Sequence, residues 1–298
     1  MQFSIDFLKY RYFALTASVI LLVAGVFGYF AKGGFKYNID FSGGAEIRVV
    51  FQNPVAIDKF RAALSKQGWE DSVIQNIANS DKEYIVKVGI TQLKDVGDLE
   101  NKFSSDIKLE IPDNKMKVEN IEWVGAEVGK GMQWAAIKAV LLSLLILLLY
   151  IAIRYKYNFA MGAVVALMHD ILVVLVMILF LGEPISLNVL AAILAILGYS
   201  LNDTIVIYSR IRENLTKMHG VSLQKVVNTS LNQTLKRTLL TSFSTLLAVG
   251  SIFILGGETL HSFSLVMLLG IIFGTYSSIY IASPVMMLLG GVKEKAGN

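Results

Sequence analysis

The stretch LGYSLNDTIVIYSRIREN, residues 197–214, begins as an apolar sequence suited to a lipid bilayer and carries the ionisable Asp203 before the apolar run has ended. A carboxylate inside a membrane helix costs at least about 2.5 kcal/mol on insertion scales. We therefore expect Asp203 to be paired, to face water, or to bind a proton or an ion.

The composition of the whole chain is that of a membrane protein. Of its 298 residues, 54% are hydrophobic and 17% are charged, and the mean hydropathy is +0.58. Most charges lie in residues 32–138, and the others lie at the ends of apolar runs. The net charge of +4 is better explained by loops that set membrane topology than by a nucleic-acid partner, which we do not expect. The absence of cysteine excludes disulfides and cysteine-ligated metals.

Six apolar runs have the length that a bilayer span needs, about 20 residues. They are residues 12–30, 135–153, 159–181, 187–208, 238–255 and 263–289. The first run is long for a signal peptide and no small-residue cleavage motif follows it, so we interpret it as an uncleaved anchor.

Lysine and arginine are distributed unequally between the connectors of these runs. One side carries Lys9, Arg11, Arg154, Lys156, Arg210, Arg212, Lys217, Lys225, Lys236, Arg237, Lys293 and Lys295. The short loops at residues 182–186 and 256–261, on the other side, carry none. The positive-inside rule then predicts that both termini are cytoplasmic and that the block after the first run lies outside.

Residues 32–131 have the alternating pattern of a soluble α+β domain. Strands are predicted at residues 45–52, 71–78, 83–90 and 116–124, helices at 54–68 and 93–107, and a hairpin turn at 79–82. The order β-α-β-β-α-β predicts a ferredoxin-like periplasmic domain inserted between transmembrane helices 1 and 2.

The chain therefore divides into four parts. Residues 1–31 are the N-terminal segment with helix 1, residues 32–131 the periplasmic domain, residues 132–290 helices 2–6, and residues 291–298 a cytoplasmic tail. A polytopic α-helical membrane protein on this plan resembles the half-unit of the RND superfamily. Such proteins normally work as two halves around a pseudo-two-fold axis.

Four motifs make the resemblance more specific. They are YNIDFSGG at residues 37–44, VGAEVGK at 124–130, GYSLNDTIVIYSRIREN at 198–214 and QTLKRTLLTS at 233–242. Together, and over nearly the whole chain, they resemble the SecF proteins of the SecD/SecF protein-export family. Ala126 departs from the family, which commonly has proline there, and this loosens a turn without affecting any chemistry. SecD proteins share several motifs but have a much larger outside region.

The resemblance implies a part in protein export rather than an enzymatic activity, and it implies no cofactor. A SecF-like subunit and a SecD-like partner would form a twelve-helix unit in the bacterial cytoplasmic (inner) membrane. The unit would bind the SecYEG channel and use the proton-motive force to complete the translocation of an unfolded polypeptide. No phosphate-binding glycine loop is present, so ATP is not the expected energy source.

The resemblance also implies a proton relay around Asp203, which lies roughly 7 Å inside the cytoplasmic end of its helix. From the residues alone, Asp203 could instead pair with an arginine and fix packing, and Arg237 could be an ordinary positive-inside flank. The family motif makes Arg237 the relay arginine. Thr241 follows it at helical spacing, and Asn202 is expected to orient a neighbouring carboxylate. A neighbouring strip of hydroxyl side chains comprises Thr234, Thr238, Ser242 and Thr245. Helix packing explains this strip as well as a proton relay does.

Asp170 lies deeper, near the middle of the third helix, beside His169. Adjacent residues on a helix point about 100° apart, so we do not expect these two to share a face. No other histidine or acid is nearby in sequence, and we expect no metal site. Asp170 is predicted to be a second relay residue or a helix contact.

Several small residues are predicted to have structural roles. Asp40, Gly43 and Gly44 would shape the exit from helix 1 into the sheet, with a hinge as the alternative. Gly125 and Gly198 belong to the structural part of the motifs. In helix 6, small residues recur every fourth position and predict a seam for close packing: Gly270, Gly274, Ser278 and Ala282.

Two other functions are compatible with parts of the pattern. The first is a half-unit of an RND-type proton-coupled exporter of small molecules or lipids, although the outside block is small for one. The second is an intramembrane aspartyl protease built on Asp170 and Asp203, which would need both carboxylates close enough to share a proton.

Overall fold

The structure is a computed structural model that describes residues 5–70, 72–77, 80, 82–89 and 98–289, except for the side chain of Glu258. The predicted tail at 291–298 lies wholly outside these residues. Also outside them are half of the hairpin turn at 79–82, the first part of the helix at 93–107, and end residues of the strands at 71–78 and 83–90.

The described residues form ten α-helices and four strands. The helices are α1 (Arg11–Ala31), α2 (Ile39–Ser42), α3 (Ile57–Lys66), α4 (Leu99–Glu110), α5 (Ala126–Arg154), α6 (Tyr157–Leu181), α7 (Leu187–Lys217), α8 (Leu223–Leu255), α9 (Gly257–Ser277) and α10 (Ser283–Leu289). The strands are β1 (Gly44–Phe51), β2 (Val73–Asn76), β3 (Glu83–Gly89) and β4 (Met116–Val124).

Six helical spans in the described chain are long and apolar enough to cross a membrane, which confirms the six predicted runs. They are α1 with the preceding 3₁₀ turn, α5, α6, α7, α8, and α9 joined to α10. Three of them extend well past the predicted apolar runs, because polar residues continue the helix: α5 begins at Ala126, α7 reaches Lys217 and α8 begins at Leu223. Hydropathy marks only the part of a helix that lies in lipid.

Three of the six spans form the centre of the bundle. The share of buried residues in the apolar window is 50% for α6, 50% for α7 and 56% for the α9–α10 span, compared with 6–17% for α1, α5 and α8. The outer three therefore present most of their apolar side chains to lipid or to another protein.

The predicted seam of small residues packs against α7. A Cβ atom at Gly274 would lie 3.0 Å from Cβ of Ser200, and one at Gly270 would overlap the side chain of Ile196. These glycines let α9 approach α7 more closely than larger residues would permit.

The four-residue spacing of the small residues predicted a continuous α-helix for the sixth span, but the span is interrupted. A π-helical turn, Ser278–Ala282, joins α9 to α10. Pro284 has no N–H to donate to the carbonyl of Tyr280, which removes one α-helical hydrogen bond at this point. The Ser283 hydroxyl donates to the carbonyl of Ser278, five residues earlier, at 3.2 Å.

The α+β domain has the predicted ferredoxin-like fold. Its antiparallel sheet has the order β2-β3-β1-β4, and Ile47 at the centre of β1 lies opposite Val86 of β3 and Ile121 of β4. The buried core on one sheet face contains a cluster of aromatic rings: Phe51, Phe60, Trp69, Tyr84 and Phe103. The strand and helix types are as predicted, but β2 and α3 are shorter than expected, and the short helix α2 was not predicted.

The segment between α1 and β1 joins the sheet domain to the membrane helices. Gly43 has φ of 79° and Gly44 has φ of 155°, backbone conformations that favour glycine. The Asp40 carboxylate accepts a hydrogen bond from the backbone N–H of Leu187, the first residue of α7, at 3.1 Å. Gly125, by contrast, has φ of −64° at the start of α5, which any residue can adopt.

The same segment rests on the first turns of α5. The carbonyl of Phe41 accepts a hydrogen bond from Gln133 Nε2 at 2.7 Å. A Cβ atom at Gly129 would lie 2.8 Å from that carbonyl oxygen and 3.0 Å from the nitrogen of Gly43. Because these neighbours are backbone atoms, the segment is held against α5 and has little room to act as a hinge.

We expect Gly129→Ala to destabilise this junction, whereas Gly131→Ala on the same helix stabilises it. Both changes gain about 1 kcal/mol of helix propensity. Only the first places a methyl group against the Phe41 backbone, since nothing lies within 4 Å of the Gly131 position, and overpacking costs about 1–3 kcal/mol. The measurement is the free energy of unfolding in detergent, with the intrinsic tryptophan fluorescence of the chain as reporter. Equal stability of the two variants would contradict the packing described here.

Candidate functional site

Two buried carboxylates lie within the helix bundle. Asp203 on α7 is 2% exposed and Asp170 on α6 is fully buried. Each has its own hydroxyl partner, and no hydrogen bond joins the two carboxylates in the described structure. This arrangement does not supply the shared proton that an aspartyl protease needs.

Asp203 faces α8 through Ser242. Its Oδ2 atom accepts a hydrogen bond from the Ser242 hydroxyl at 3.3 Å. The same hydroxyl oxygen lies 2.7 Å from Thr275 Oγ1 of α9, and Thr275 also donates to the carbonyl of Ile271 at 2.9 Å. A serine has one hydroxyl hydrogen, so Ser242 donates either to Asp203 or to Thr275.

Arg237 lies on α8 at the same end of the bundle, with its side chain exposed on the surface of this chain. It is within electrostatic reach of Asp203. Among the ion pairs of the described residues, none joins the two side chains within 4.0 Å. The alternative in which Asp203 pairs with an arginine is therefore not seen among the described ion pairs.

The hydroxyl group of α8 that contacts Asp203 is not that of Thr241, the predicted relay residue. Thr241 donates to the carbonyls of Arg237 and Thr238, its own helix backbone, at 3.0 and 2.9 Å. Ser242, a member of the neighbouring hydroxyl strip, is the residue that reaches Asp203. The Thr238 hydroxyl, one turn before Ser242, is buried and has no hydrogen-bond partner among the described atoms.

Asn202 and Gly198 lie on the outer face of α7. Both are exposed, no hydrogen bond joins Asn202 to another side chain in the described ranges, and nothing lies within 4 Å of a Cβ atom built at Gly198. Ala191 and Ala195 continue the same exposed stripe at helical spacing. Asn202 therefore points away from Asp203 within this chain.

The side chains around Asp170 come from α6, α7 and α9. Its Oδ2 atom accepts a hydrogen bond from the Ser200 hydroxyl at 2.6 Å, and its Oδ1 atom lies 3.3 Å from His169 Nδ1. The expectation that His169 and Asp170 do not share a face did not predict this contact. Their Cα–Cβ bonds do diverge, but rotation about the side-chain bonds brings the ring back to the carboxylate.

His169 extends this cluster to the first helix. Its Nε2 atom lies 3.0 Å from the hydroxyl of Ser18, which lies 3.0 Å from the hydroxyl of Tyr276. Tyr276 donates to the carbonyl of Ala14 at 2.7 Å. Sequence reasoning missed Ser18 and Tyr276, and the signal available was a hydroxyl group inside an otherwise apolar span.

Three or more histidine, cysteine, aspartate or glutamate side chains do not come together as a metal site anywhere in the described part of the chain. The polar atoms around both carboxylates are hydroxyls and one imidazole. Such groups can accept, donate and pass protons, which is the chemistry that this arrangement permits.

A comparison with known protein families matches residues 105–292, more than half of the chain, to the family described as "Protein export membrane protein SecD/SecF, C-terminal". The chain belongs to the SecD/SecF family of protein-export membrane proteins. Asp170, Asp203 and Arg237 all lie within the matched residues.

Relatives of this SecD/SecF family member match it over nearly its full length. Protein translocase subunit SecF of Thermodesulfovibrio yellowstonii is 38% identical over 291 residues, which cover 96% of this chain and 95% of that protein. Protein translocase subunit SecF of Escherichia coli O157:H7 is 35% identical over 289 residues, covering 97% and 89%.

Two solved structures are also similar. The crystal structure of SecDF from Thermus thermophilus, a translocon-associated membrane protein, is 34% identical with a TM-score of 0.78. A crystal structure of SecDF in a super-membrane-facing form is 33% identical with a TM-score of 0.73. They cover 96% and 97% of this chain, but this chain spans only 39% of the length of either SecDF chain.

We expect Ser242→Ala to destabilise the bundle and Ser244→Ala to leave it unchanged. The first removes the hydroxyl that contacts Asp203, and interhelical hydrogen bonds in membranes contribute about 0.6–1.7 kcal/mol. Ser244 is exposed on the same helix and donates only to its own backbone, at Thr241. Unfolding of both variants in mixed micelles measures the difference, and similar losses would argue against the Ser242 contact.

Proposed function

We propose that this chain is the SecF-type subunit of a SecDF protein translocase and that Asp203 binds and releases the proton that couples export to the proton-motive force. The observation that carries the proposal is the position of Asp203: a buried carboxylate with one long hydrogen bond and no ion pair within the described residues. A carboxylate in this setting is costly to keep charged.

Two arrangements could lower that cost. In one, a proton neutralises Asp203. In the other, the exposed side chain of Arg237 turns inward and pairs with the charged carboxylate, which its long stem permits. Alternation between these arrangements would link proton binding to a change in the packing of α7 against α8.

The Ser242 hydroxyl would report which arrangement is present. A charged Asp203 attracts the hydroxyl hydrogen of Ser242, because a carboxylate is the stronger acceptor. Once Asp203 is protonated, the hydrogen is free to turn to Thr275 at 2.7 Å. This rotation would carry the change from α7 and α8 to α9.

The partner that we propose is a SecD-like chain with a second set of helices. Supporting this, the SecDF chains of known structure are much longer than this chain, which spans 39% of their length. The outer face of α7 exposes the small side chains of Ala191, Ala195 and Asn202 beside Gly198, which suits a closely packed helix from another chain. Arg237 and Asn202 would then lie at this interface.

The remaining parts of the proposal concern topology and partners. Both termini would be cytoplasmic, and the domain of residues 32–131 would be periplasmic. Residues 132–290 would contain helices 2–6, which would lie in the inner membrane. The assembled unit would bind SecYEG, and the periplasmic domain would support handling of the unfolded polypeptide. The chain would act as a transport component without enzymatic activity.

We expect Asp203→Asn to abolish proton-dependent export while membrane insertion and partner binding stay normal. Asparagine keeps the size of the side chain but cannot bind or release the proton. Export of a secreted reporter in cells, with and without a protonophore, is the measurement, together with co-purification of the SecD-like partner. Asp58→Asn, at a side chain that is 92% exposed in the α+β domain, is the matched control. Normal export by Asp203→Asn at normal expression would refute the proposed role.

The orientation can be tested separately, because the chain has no cysteine and single-cysteine variants have no background. We expect Asp58→Cys in intact cells whose outer membrane has been made permeable to react with a membrane-impermeant maleimide. His219→Cys, at an exposed position between α7 and α8, should react only after the inner membrane is disrupted. The reverse pattern would invert the proposed topology.

A further inference from the structure

We infer that His169 and Asp170 form a second proton-holding site, in which the two side chains share one proton and His169 donates a hydrogen bond from Nε2 to Ser18 of α1. The inference follows from the order of donors and acceptors around the pair. Its role in export rests on the function proposed above, but the shared proton does not.

The donor in each of these hydrogen bonds can be assigned by starting from the carbonyl of Ala14 on α1. A carbonyl oxygen can only accept, so the Tyr276 hydroxyl must use its one hydrogen to reach the carbonyl of Ala14 at 2.7 Å. The 3.0 Å contact between the hydroxyls of Ser18 and Tyr276 then requires Ser18 to donate. With its hydrogen used, Ser18 can only accept from His169 Nε2, which lies 3.0 Å away.

This order leaves His169 Nδ1 facing Asp170 Oδ1 at 3.3 Å. In a neutral ring with a proton on Nε2, Nδ1 is an acceptor, and an ionised carboxylate is an acceptor as well. Two acceptors at this distance repel each other. One proton between them, on either atom, makes the contact favourable.

Burial supports the same conclusion. His169 is 7% exposed and Asp170 is fully buried, and an isolated charge at this depth in the bundle would be costly. One shared proton makes the pair neutral as a whole. The groups that face it are Ser18 from α1, Ser200 from α7, and Tyr276 and Ser277 from α9, so no other charged side chain of the described residues balances it.

Loss of this proton would have a structural consequence. An ionised Asp170 requires a donor at His169 Nδ1, so a neutral ring would move its proton from Nε2 to Nδ1. Nε2 would become an acceptor, and Ser18 would turn its hydrogen from Tyr276 to His169. The state of the pair would therefore be coupled to the contact of α1 with α9. Since Ser200 and Asp203 are three residues apart on α7, the pair also borders the first site along that helix.

The test is the ¹⁵N NMR spectrum of His169 in the full chain, in lipid nanodiscs at neutral pH. The chain has three histidines, so a background with His219→Gln and His261→Gln leaves His169 as the single labelled ring. We expect Nε2 to be protonated, together with either a protonated Nδ1 or the infrared carbonyl band of a protonated Asp170. A spectrum with Nε2 unprotonated and Nδ1 protonated, without that band, would overturn the inference.

Two variants locate the partners. Ser18→Ala should shift the Nε2 resonance, whereas Thr16→Ala, at an exposed position of the same helix, should not. Asp170→Asn should abolish the shared proton, leaving a neutral ring with its proton on Nε2. An unchanged spectrum in both Ser18→Ala and Asp170→Asn would contradict the assignment. These readouts do not depend on export, so they distinguish failure of this inference from failure of the role of Asp203.

Discussion

The structure depends on one constraint: a carboxylate that is removed from water inside a membrane bundle must be neutralised or supplied with donors. Asp170 meets it with Ser200 on one oxygen and His169 on the other. Asp203 meets it only in part, through Ser242 at 3.3 Å. Both oxygens of Asp170 therefore have partners, whereas Asp203 has one long hydrogen bond and is suited to change its partners.

Close helix packing is what brings the hydroxyls to the carboxylates. The glycines of α9 allow it to lie directly against α7, with Gly274 beside Ser200. Ser200, Thr275 and Ser242 then come within hydrogen-bond distance of the acidic residues or of each other. Larger residues along this seam would separate the helices, so packing and polar chemistry are parts of one arrangement.

The contacts that hold the α+β domain against the membrane helices come from the segment between α1 and β1. Gly43 and Gly44 turn the chain with positive φ, and the carbonyl of Phe41 rests on α5 at Gly129. Asp40 adds a hydrogen bond to the first residue of α7. Two of the central motifs of the sequence therefore meet at this junction, where the sheet domain is joined firmly to the membrane helices.

The sequence by itself determined the six spans, the order of strands and helices in the α+β domain, and the two acidic residues of the bundle, Asp170 and Asp203. Hydropathy and side-chain alternation act along the chain, so they can be read from it. Which hydroxyl meets which carboxylate was decided only by the tertiary structure. Ser242 rather than Thr241 contacts Asp203, and His169 turns back to Asp170, because these contacts depend on the rotation of each helix and the rotamer of each side chain. The sequence pattern does not contain the rotation of each helix or the rotamer of each side chain, because the packing of all six spans together determines them.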